Sequence, residues 1–392
     1  HVRSRRQRQM CIRDSIFTAE HRFTALETAR KGIVLLKNSN LLPLDKVKKV
    51  KNIIVTGPNA NNQSILGDWH AEQPDENVTT IYEGIKELGE SKGYKVSFHN
   101  SGESIRKISD KDINKTIEAS KDADYVIVVV GDNSMRYKWK EKTAGENMDR
   151  ADLNLAGKQL DLVMSLKESN SNIIVVYVNG KPISEPWIQN NIPAIIEAWE
   201  PGNLGGKAVA EIIFGDINPS GKLPLTIPRS VGQLQMIYNH KPSQYFHKYA
   251  FEKNKPLYHF GYGLSYTKFN YSKPTLKNST FDANSIIKVD VQVTNVGDMD
   301  GDEVVQLYIR DKVSSVTRPV KELKGYKRVR LKVGETKKIT FELTPESLAF
   351  YDIDMNYIVE PGTFNIMTGS SSHFKSLKTV ELTILNKINL NN

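Results

Sequence analysis

Cysteine is nearly absent from this sequence. Its 392 residues contain one cysteine, Cys11, so no disulfide can form within the chain and no multi-thiolate metal site can be built. Long apolar runs are absent as well. The run Tyr125–Val130 holds six apolar residues, whereas a membrane-spanning helix needs about 18. The sequence therefore predicts no membrane span.

Acidic residues are missing from residues 1–13, which hold five arginines. The net charge of the chain is +9, so the residues after this segment carry +4. A charge of +4 over that length is too small to indicate a surface that binds nucleic acid. The segment also lacks the apolar region of a signal peptide. We interpret residues 1–17 as a basic tail that is either a disordered extension or not native sequence.

Nucleotide, metal and serine-nucleophile signatures are also missing. At "EPGNLGGKA" a P-loop would need glycine at Pro201 and a hydroxyl residue at Ala208, and no GxGxxG occurs. We expect these glycines to allow a tight turn and close helix–strand packing instead. The eight histidines show no HExxH or paired-ligand spacing, and no GxSxG elbow is present. The sequence predicts no metal and no other cofactor. The missing phosphate-binding signatures count against a nucleotide-binding module.

Short apolar runs alternate with helical patterns over residues 18–265. Unbroken β-branched runs with helical spacers of about 10–15 residues are typical of a parallel sheet covered on both faces. We therefore predict an open α/β sandwich with a mostly parallel sheet. The predicted strands are 52–57, 95–99, 125–131, 172–180 and 194–200, and the predicted helices are 79–90, 108–120, 156–169 and 205–215.

The apolar period changes to two within residues 266–392. In the segment 287–295, apolar residues alternate strictly with polar ones, and the segments 304–310 and 337–343 continue this pattern. About seven short strands over roughly a hundred residues indicate an antiparallel, all-β sandwich. We predict a linker followed by such a sandwich, which shows no pattern of site residues.

A polar loop contains the first candidate site residue. Ligands of open α/β sheets bind beyond the carboxyl ends of the strands, and the loop "KTAGENMDRADLNL" leaves that edge with Glu146 inside it. Asp149 could form a local ion pair with Arg150. Residue chemistry alone does not choose Glu146 over its neighbouring carboxylates, Glu141, Asp149 and Asp152.

Trp69 is the second candidate. It follows a predicted strand in "ILGDWHAEQPDE", between Asp68 and His70. An aromatic face in such a loop can stack on the apolar side of a sugar ring. A partly buried anchor for the loop explains the residue equally well.

The order of motifs resembles glycoside hydrolase family 3. The resemblance runs from about residue 20 to the C-terminus and is strongest at residues 197–228. It implies a family 3 C-terminal α/β domain followed by a fibronectin type III-like (immunoglobulin-like) sandwich. The segments that carry it are "ALETARKGIVLLKNSNLLPL", "LGDWH", "GENMDRADLNLAGKQ", "IVVYVNGKPIS", "EAWEPGNLGGKAVAEIIFGDINPSGKLPLTIP" and "PLYHFGYGLSYTKF".

The resemblance implies retaining hydrolysis by two carboxylates. In the family, an aspartate of an N-terminal barrel is the nucleophile, and a glutamate from a loop of the α/β domain is the general acid/base. Many members carry that glutamate in a Glu-x-x-x-Arg pattern, which Glu146 and Arg150 match here. The resemblance therefore implies that Glu146 is the general acid/base and that Trp69 binds substrate on the aglycone side.

A barrel needs about 250 residues, and about 20 residues precede the α/β domain here. We expect this chain to be a C-terminal portion that lacks the barrel and the nucleophile and is inactive alone, whether as a truncated sequence or beside a separate barrel. The resemblance implies part of a β-glucosidase-like exo-glycosidase that removes terminal β-linked sugars from oligosaccharides or glycosides. The alternative is a non-catalytic carbohydrate-binding or scaffold protein. Frequent export in the family implies a periplasmic or secreted location.

Overall fold

The computed structural model describes residues 16–44, 52–242, 248–277 and 285–390, so the basic segment 1–15 and Cys11 lie outside the described residues. The chain divides into two units. The first holds the residues up to Ile183 and Trp187–Ile217, and the second holds Ser184–Pro186 and the residues from Asn218 onward. Residues 218–265, predicted as part of the α/β domain, thus group with the second unit.

The first unit contains a six-stranded sheet with helices between its strands. The strands are β1 (Val34–Asn38), β2 (Asn52–Thr56), β3 (Lys95–Phe98), β4 (Tyr125–Gly131), β5 (Ile173–Val178) and β6 (Ala194–Glu197). The helices are α1 (Ala19–Gly32), α2 (Ile81–Ser91), α3 (Asp110–Ser120), α4 (Gln159–Ser169), α5 (Pro186–Asn191) and α6 (Gly205–Ile213). Short 3-10 helices lie at Gln63–Leu66, Asp75–Asn77, Ile105–Lys107 and Arg136–Glu141.

The strand order of this sheet is β1-β6-β5-β4-β2-β3. Strands β2 to β6 pair in parallel, and β1 pairs antiparallel with β6 at one edge. The predicted α/β fold with a mostly parallel sheet is therefore confirmed. The sequence analysis did not predict β1, a five-residue strand that begins two residues after α1 ends at Gly32.

The sequence patterns explain the core and the helix starts. Every residue of β4 and β5 is buried, as expected for unbroken apolar strands covered on both faces. Helix α2 begins at a capping box, in which Thr80 accepts from the backbone of Glu83 and the Glu83 side chain accepts from the backbone of Thr80. Helix α3 begins in the same way at Ser109. These caps satisfy amide groups that the first turn of a helix leaves unpaired.

The chain reverses its course across the sheet between β2 and β4. Strand β3 lies on one side of β2, and β4, β5 and β6 follow on the other side. The loops after β2 and β4 therefore leave the same edge beside each other, at the topological switch point where open α/β sheets bind ligands. Both loops begin at a glycine: a Cβ on Gly57 would lie 2.1 Å from the Val129 carbonyl oxygen, and one on Gly131 would lie 1.9 Å from that of Val178.

The second unit contains antiparallel sheets. The main strands are β9 (Ile287–Asn295), β10 (Gly301–Asp311), β11 (Glu322–Leu331), β12 (Thr336–Leu343), β15 (Gly362–Gly369) and β16 (Leu377–Ile384). Shorter elements are β7 (Phe269–Tyr271), β8 (Thr275–Leu276), α7 (Pro345–Leu348), β13 (Phe350–Tyr351), β14 (Tyr357–Val359) and β17 (Ile388–Asn389). No helix in the described part of the chain is long and apolar enough to cross a membrane.

The sheets of this unit share one apolar core. One sheet has the order β11-β10-β15-β16, and a second has β12-β9-β7, with β8 also paired to β9. The inward residues of β9, at alternate positions from Ile287 to Val293, pack in a single cluster with residues of β10, β12, β15 and β16. The predicted all-β sandwich is confirmed, and the period of two arises because one face of each strand is buried.

The glycines of "EPGNLGGKA" serve backbone geometry. Gly202 has a φ of 80° in the turn after β6, as expected for a tight turn. Gly206 permits a close approach, but to the start of α2 rather than to a strand: a Cβ there would lie 1.9 Å from the carbonyl oxygen of Thr80. The expected helix–strand contact at this glycine is thus a contact between two helices.

We predict that Gly206→Ala lowers the free energy of unfolding by about 3 kcal/mol, because the added methyl group collides with backbone atoms that cannot rotate away. Gly32→Ala is the matched control. It also lies in a helix, no atom lies within 4 Å of its added Cβ, and its stability should stay close to wild type. Chemical denaturation of both variants measures the difference. Equal stabilities would contradict the close helix contact.

Candidate active site

Two loops meet at the carboxyl edge of the sheet. The loop after β2 continues through the 3-10 helix Gln63–Leu66 and turns at Gly67, which has a φ of 84°, into Asp68 and Trp69. The loop after β4 contains the 3-10 helix Arg136–Glu141 and then Glu146. The two sequence-predicted site residues therefore lie on neighbouring loops.

An ion pair joins the two loops. The Nζ atom of Lys142 lies 3.0 Å from Oδ1 of Asp68, and the Lys142 side chain is fully buried. Asp68 is 12% exposed. A buried ammonium group loses its hydration, so a counter-charge in hydrogen-bonding contact has to replace it. The partner of Lys142 comes from a position 74 residues earlier in the chain.

The same ion pair holds both polar groups of the Glu146 backbone. The Glu146 N–H donates to Oδ2 of Asp68 at 2.5 Å, and its carbonyl accepts from Nζ of Lys142 at 3.0 Å. Gly145, with a φ of 99°, makes this approach possible, since a Cβ there would lie 2.6 Å from Oδ2 of Asp68. The N–H and the carbonyl of Glu146 are thus both held by hydrogen bonds, while its side chain takes no part in the ion pair of Asp68 and Lys142.

Arg136 connects Glu146 to Trp69. Its guanidinium pairs with the Glu146 carboxylate, and its Nε lies 3.2 Å from Oδ1 of Asp68. The guanidinium carbon also lies 3.6 Å from the centroid of the Trp69 ring. Trp69 is 76% exposed, so it does not anchor its loop by burial. The Glu146 side chain is 42% exposed. The structure therefore brings a solvent-accessible carboxylate and an exposed aromatic ring together around one arginine.

The other loop carboxylates have different surroundings. Arg150 pairs with Asp152 at 2.6 Å and with Asp132 at 3.2 Å, rather than with Asp149 as the sequence suggested. Asp132 also lies 3.2 Å from Nζ of Lys181. The arginine of the Glu-x-x-x-Arg pattern thus binds the base of the loop and does not pair with Glu146.

A buried and a partly buried carboxyl group lie near these loops. Burial raises the pKa of Glu197 to about 8, and the residue is 1% exposed, so it cannot reach a substrate from its position. Burial also raises the pKa of Glu200, whose carboxyl group accepts from Oγ of Ser134 at 2.7 Å. A Cβ on Gly67 would lie 2.6 Å from Oε2 of Glu200. Glu200 therefore supports the turn that presents Asp68 and Trp69.

His70, the residue after Trp69, contacts Tyr137 of the other loop. Their rings contact edge to face, with centroids 5.5 Å apart. Burial lowers the pKa of His70 and raises that of Tyr137 to about 12, so both are neutral at pH 7. Among the residues that the structure describes, no group of three His, Cys, Asp or Glu side chains is placed to hold a metal ion.

Asp68, Arg136 and Lys142 are the residues that the sequence analysis did not select. Asp68 had one signal, its place in the "GDW" motif next to Trp69. Arg136 and Lys142 belong to the charged stretch "MRYKWKEKTAGE", whose pattern is that of a solvated loop. Only the fold shows that one lysine of this stretch is buried.

Two family models match the chain. The model of the Glycosyl hydrolase family 3 C-terminal domain matches residues 33–266, and that of a Fibronectin type III-like domain matches residues 303–372. A beta-xylosidase of Formosa agariphila is 43% identical over 94% of this chain and 51% of its own length. A periplasmic beta-glucosidase of Salmonella typhimurium is 37% identical over 90% of this chain and 49% of its own length.

Solved structures give the same result. A beta-glucosidase of Listeria innocua, in complex with glucose, matches 95% of this chain and 50% of its own with a TM-score of 0.85 at 30% identity. A beta-glucosidase from Erythrobacter marinus matches 94% of this chain and 51% of its own with a TM-score of 0.84 at 34% identity. The chain spans about half the length of the relatives it matches.

We predict that Lys142→Met destabilises the first unit by about 3 kcal/mol, because Asp68 then keeps its charge without its buried partner. Lys140→Met is the control, since Lys140 lies in the 3-10 helix that ends directly before Lys142 and is exposed. Thermal unfolding followed by tryptophan fluorescence measures the loss. If both variants unfold like the wild type, the ion pair does not hold the two loops together.

Proposed function

Because the chain belongs to glycoside hydrolase family 3, we propose that it forms the acid/base half of a retaining, exo-acting glycosidase. In this proposal Glu146 is the general acid/base, and the nucleophile lies in a barrel domain outside this chain. The main support is the position of Glu146: an accessible carboxylate on a backbone that Asp68 and Lys142 hold at the switch point.

A retaining glycosidase needs one carboxyl group that changes its protonation during the reaction. As an acid it gives a proton to the departing glycosidic oxygen, and as a base it then removes a proton from water. A side chain with this role has to reach substrate while its backbone stays in place. Glu146 meets both conditions, whereas Glu197 is too deeply buried.

Arg136 is the group that regulates Glu146 in this proposal. A guanidinium beside a carboxylate stabilises its ionised form, which is the form needed to activate water. Proton donation to a leaving group requires the protonated carboxylic acid. Arg136 also covers one face of Trp69 at 3.6 Å, so a sugar that stacks on that face has to displace the guanidinium from the ring. Substrate binding would then release Glu146 for protonation.

We propose glycosides with a terminal β-linked sugar as substrates. The supporting relatives are named as beta-xylosidase and beta-glucosidase, so glucose and xylose are the first sugars to test. We further propose a periplasmic or secreted location, because one relative is a periplasmic beta-glucosidase.

The alternative is a non-catalytic carbohydrate-binding protein, and the exposure of Trp69 favours it. A tryptophan that is 76% exposed can bind a sugar ring whether or not Glu146 takes part in chemistry. This alternative predicts that the chain alone binds xylose or glucose oligosaccharides in NMR titrations. Trp69→Ala should abolish that binding, Glu146→Ala should not, and Phe23→Ala, which removes another exposed aromatic ring of the first unit, is the control. Absence of binding by the wild-type chain would argue against the alternative.

The acid/base role predicts the behaviour of Glu146→Ala in a protein that joins this chain to a family 3 barrel. Turnover of substrates with poor leaving groups should fall by roughly 10²–10⁴-fold, because no acid protonates the departing oxygen. Substrates with good leaving groups should form the glycosyl-enzyme and then stall. Azide should relieve the stall and yield a β-glycosyl azide, since this anion needs no deprotonation.

Glu141→Ala is the matched control, because it removes a carboxylate from the same loop and leaves the ion pair of Asp68 and Lys142 in place. It should keep wild-type turnover and show no azide rescue. If Glu141→Ala shows the leaving-group dependence and the rescue while Glu146→Ala does not, Glu146 is not the acid/base.

A further inference from the structure

Basic side chains converge in the second unit at a place remote in sequence from Glu146. The rings of His259 and His373 lie 4.4 Å apart between centroids, tilted by 59°. Positive charges from Lys321, Lys255 and Lys375 act on this pair. We call His259, Lys321 and His373 the basic cluster.

Lys321 is the buried member of the cluster. The residue is 4% exposed, and its Nζ donates to the Ser372 carbonyl at 2.6 Å. The same Nζ lies 3.2 Å from the centroid of the Phe374 ring, which is 56% exposed. A carbonyl and a ring face stabilise an ammonium group, but neither neutralises its charge. A buried lysine is ordinarily paired with a carboxylate.

Many other basic side chains of the second unit have acidic partners. Lys222 lies 3.0 Å from Glu303, and Arg318 lies 2.6 Å from Glu322. In the described part of the chain, none of the basic cluster makes an ion pair, and neither do the surrounding Lys255, Arg310 and Lys375. Lys321 is therefore a buried positive charge that no carboxylate of the described residues pairs with, and the two imidazoles add to this charge only when they are protonated.

The pKa values of all three groups in the cluster are lowered. Burial, with the charges of His373, Lys321 and Lys255, lowers the pKa of His259 to about 4. Burial, with the charge of Arg310, lowers that of Lys321 to about 8. Burial and the neighbouring lysines also lower the pKa of His373. Burial is the largest cause of each lowered pKa, and the neighbouring positive charges lower it further.

We propose that the basic cluster binds an oxyanion group, either inorganic sulfate or the carboxylate of an acidic sugar. The partly buried rings of His259 and His373 supply N–H groups to the anion, and Lys321, which is 4% exposed, supplies a buried positive charge next to His373. The exposed ring of Phe374 next to Lys321 offers an apolar face on which the sugar ring of an acidic saccharide can lie. This site is independent of Glu146 and of the function proposed for it.

The proposal predicts tighter binding at low pH. The pKa values of His259 and His373 are lowered in the free protein, so without an anion the folded state loses stability as the pH falls below about 6.5. A bound anion favours the protonated imidazole and raises these pKa values again. Raising one of them by about one unit increases the affinity by up to about tenfold, and the full factor is reached only where the pH lies below both the free and the bound pKa.

The test is calorimetric titration of the full chain with sodium sulfate and with sodium glucuronate, at constant ionic strength, at pH 5.5 and pH 8. Constant ionic strength removes general screening as an explanation. We expect saturable binding that is severalfold tighter at pH 5.5 than at pH 8 and is accompanied by proton uptake. His373→Gln and Lys321→Met should each abolish saturable binding.

Lys378→Gln is the matched control, because Lys378 is an exposed lysine of β16 and the variant makes the same charge change in the same unit. It should bind like the wild type. If both sulfate and glucuronate saturate the site, it recognises the oxyanion group without a sugar. If glucuronate saturates the site and sulfate does not, the site recognises an acidic sugar. Non-saturable effects with either anion, or equal weakening by Lys378→Gln and His373→Gln, would overturn the proposal. Near-ultraviolet circular dichroism confirms that each variant is folded.

Discussion

Burying the ammonium group of Lys142 is costly unless a counter-charge and a hydrogen-bond acceptor surround it. Asp68 supplies the charge, and the carbonyl of Glu146 supplies the acceptor. These groups come from the loops after β2 and β4, so Lys142 can be buried only when the two loops meet in one arrangement. The position of Glu146 thus follows from the burial of a charge, and the geometry of the candidate active site depends on it.

This arrangement also requires that backbone atoms come unusually close to carboxylates. Gly145 lies against Asp68, and Gly67 lies against Glu200. Both glycines have positive φ values, 99° and 84°, which residues with a Cβ rarely adopt. The two carboxylates therefore each lie close to the backbone of a loop. Trp69 and the Glu146 side chain take no part in these close contacts and are exposed.

Much of the fold could be predicted from the sequence, because strand burial leaves a periodic pattern. Strand β9 covers the segment 287–295 as predicted, and β4 covers 125–131. Strand β1 was hidden because it pairs antiparallel with the distant β6 after a helix, and no local pattern encodes that pairing.

The candidate site could be predicted only in part, and two lysines show why. Lys142 and Lys321 both lie in charged stretches, where a lysine is ordinarily solvated, yet both are buried. Lys142 meets Asp68, whereas Lys321 meets a carbonyl and a ring. A sequence states which side chains carry charge but not which partner the fold provides. That partner decides the role: Lys142 is committed to holding Glu146, and Lys321 keeps a charge that a ligand can neutralise.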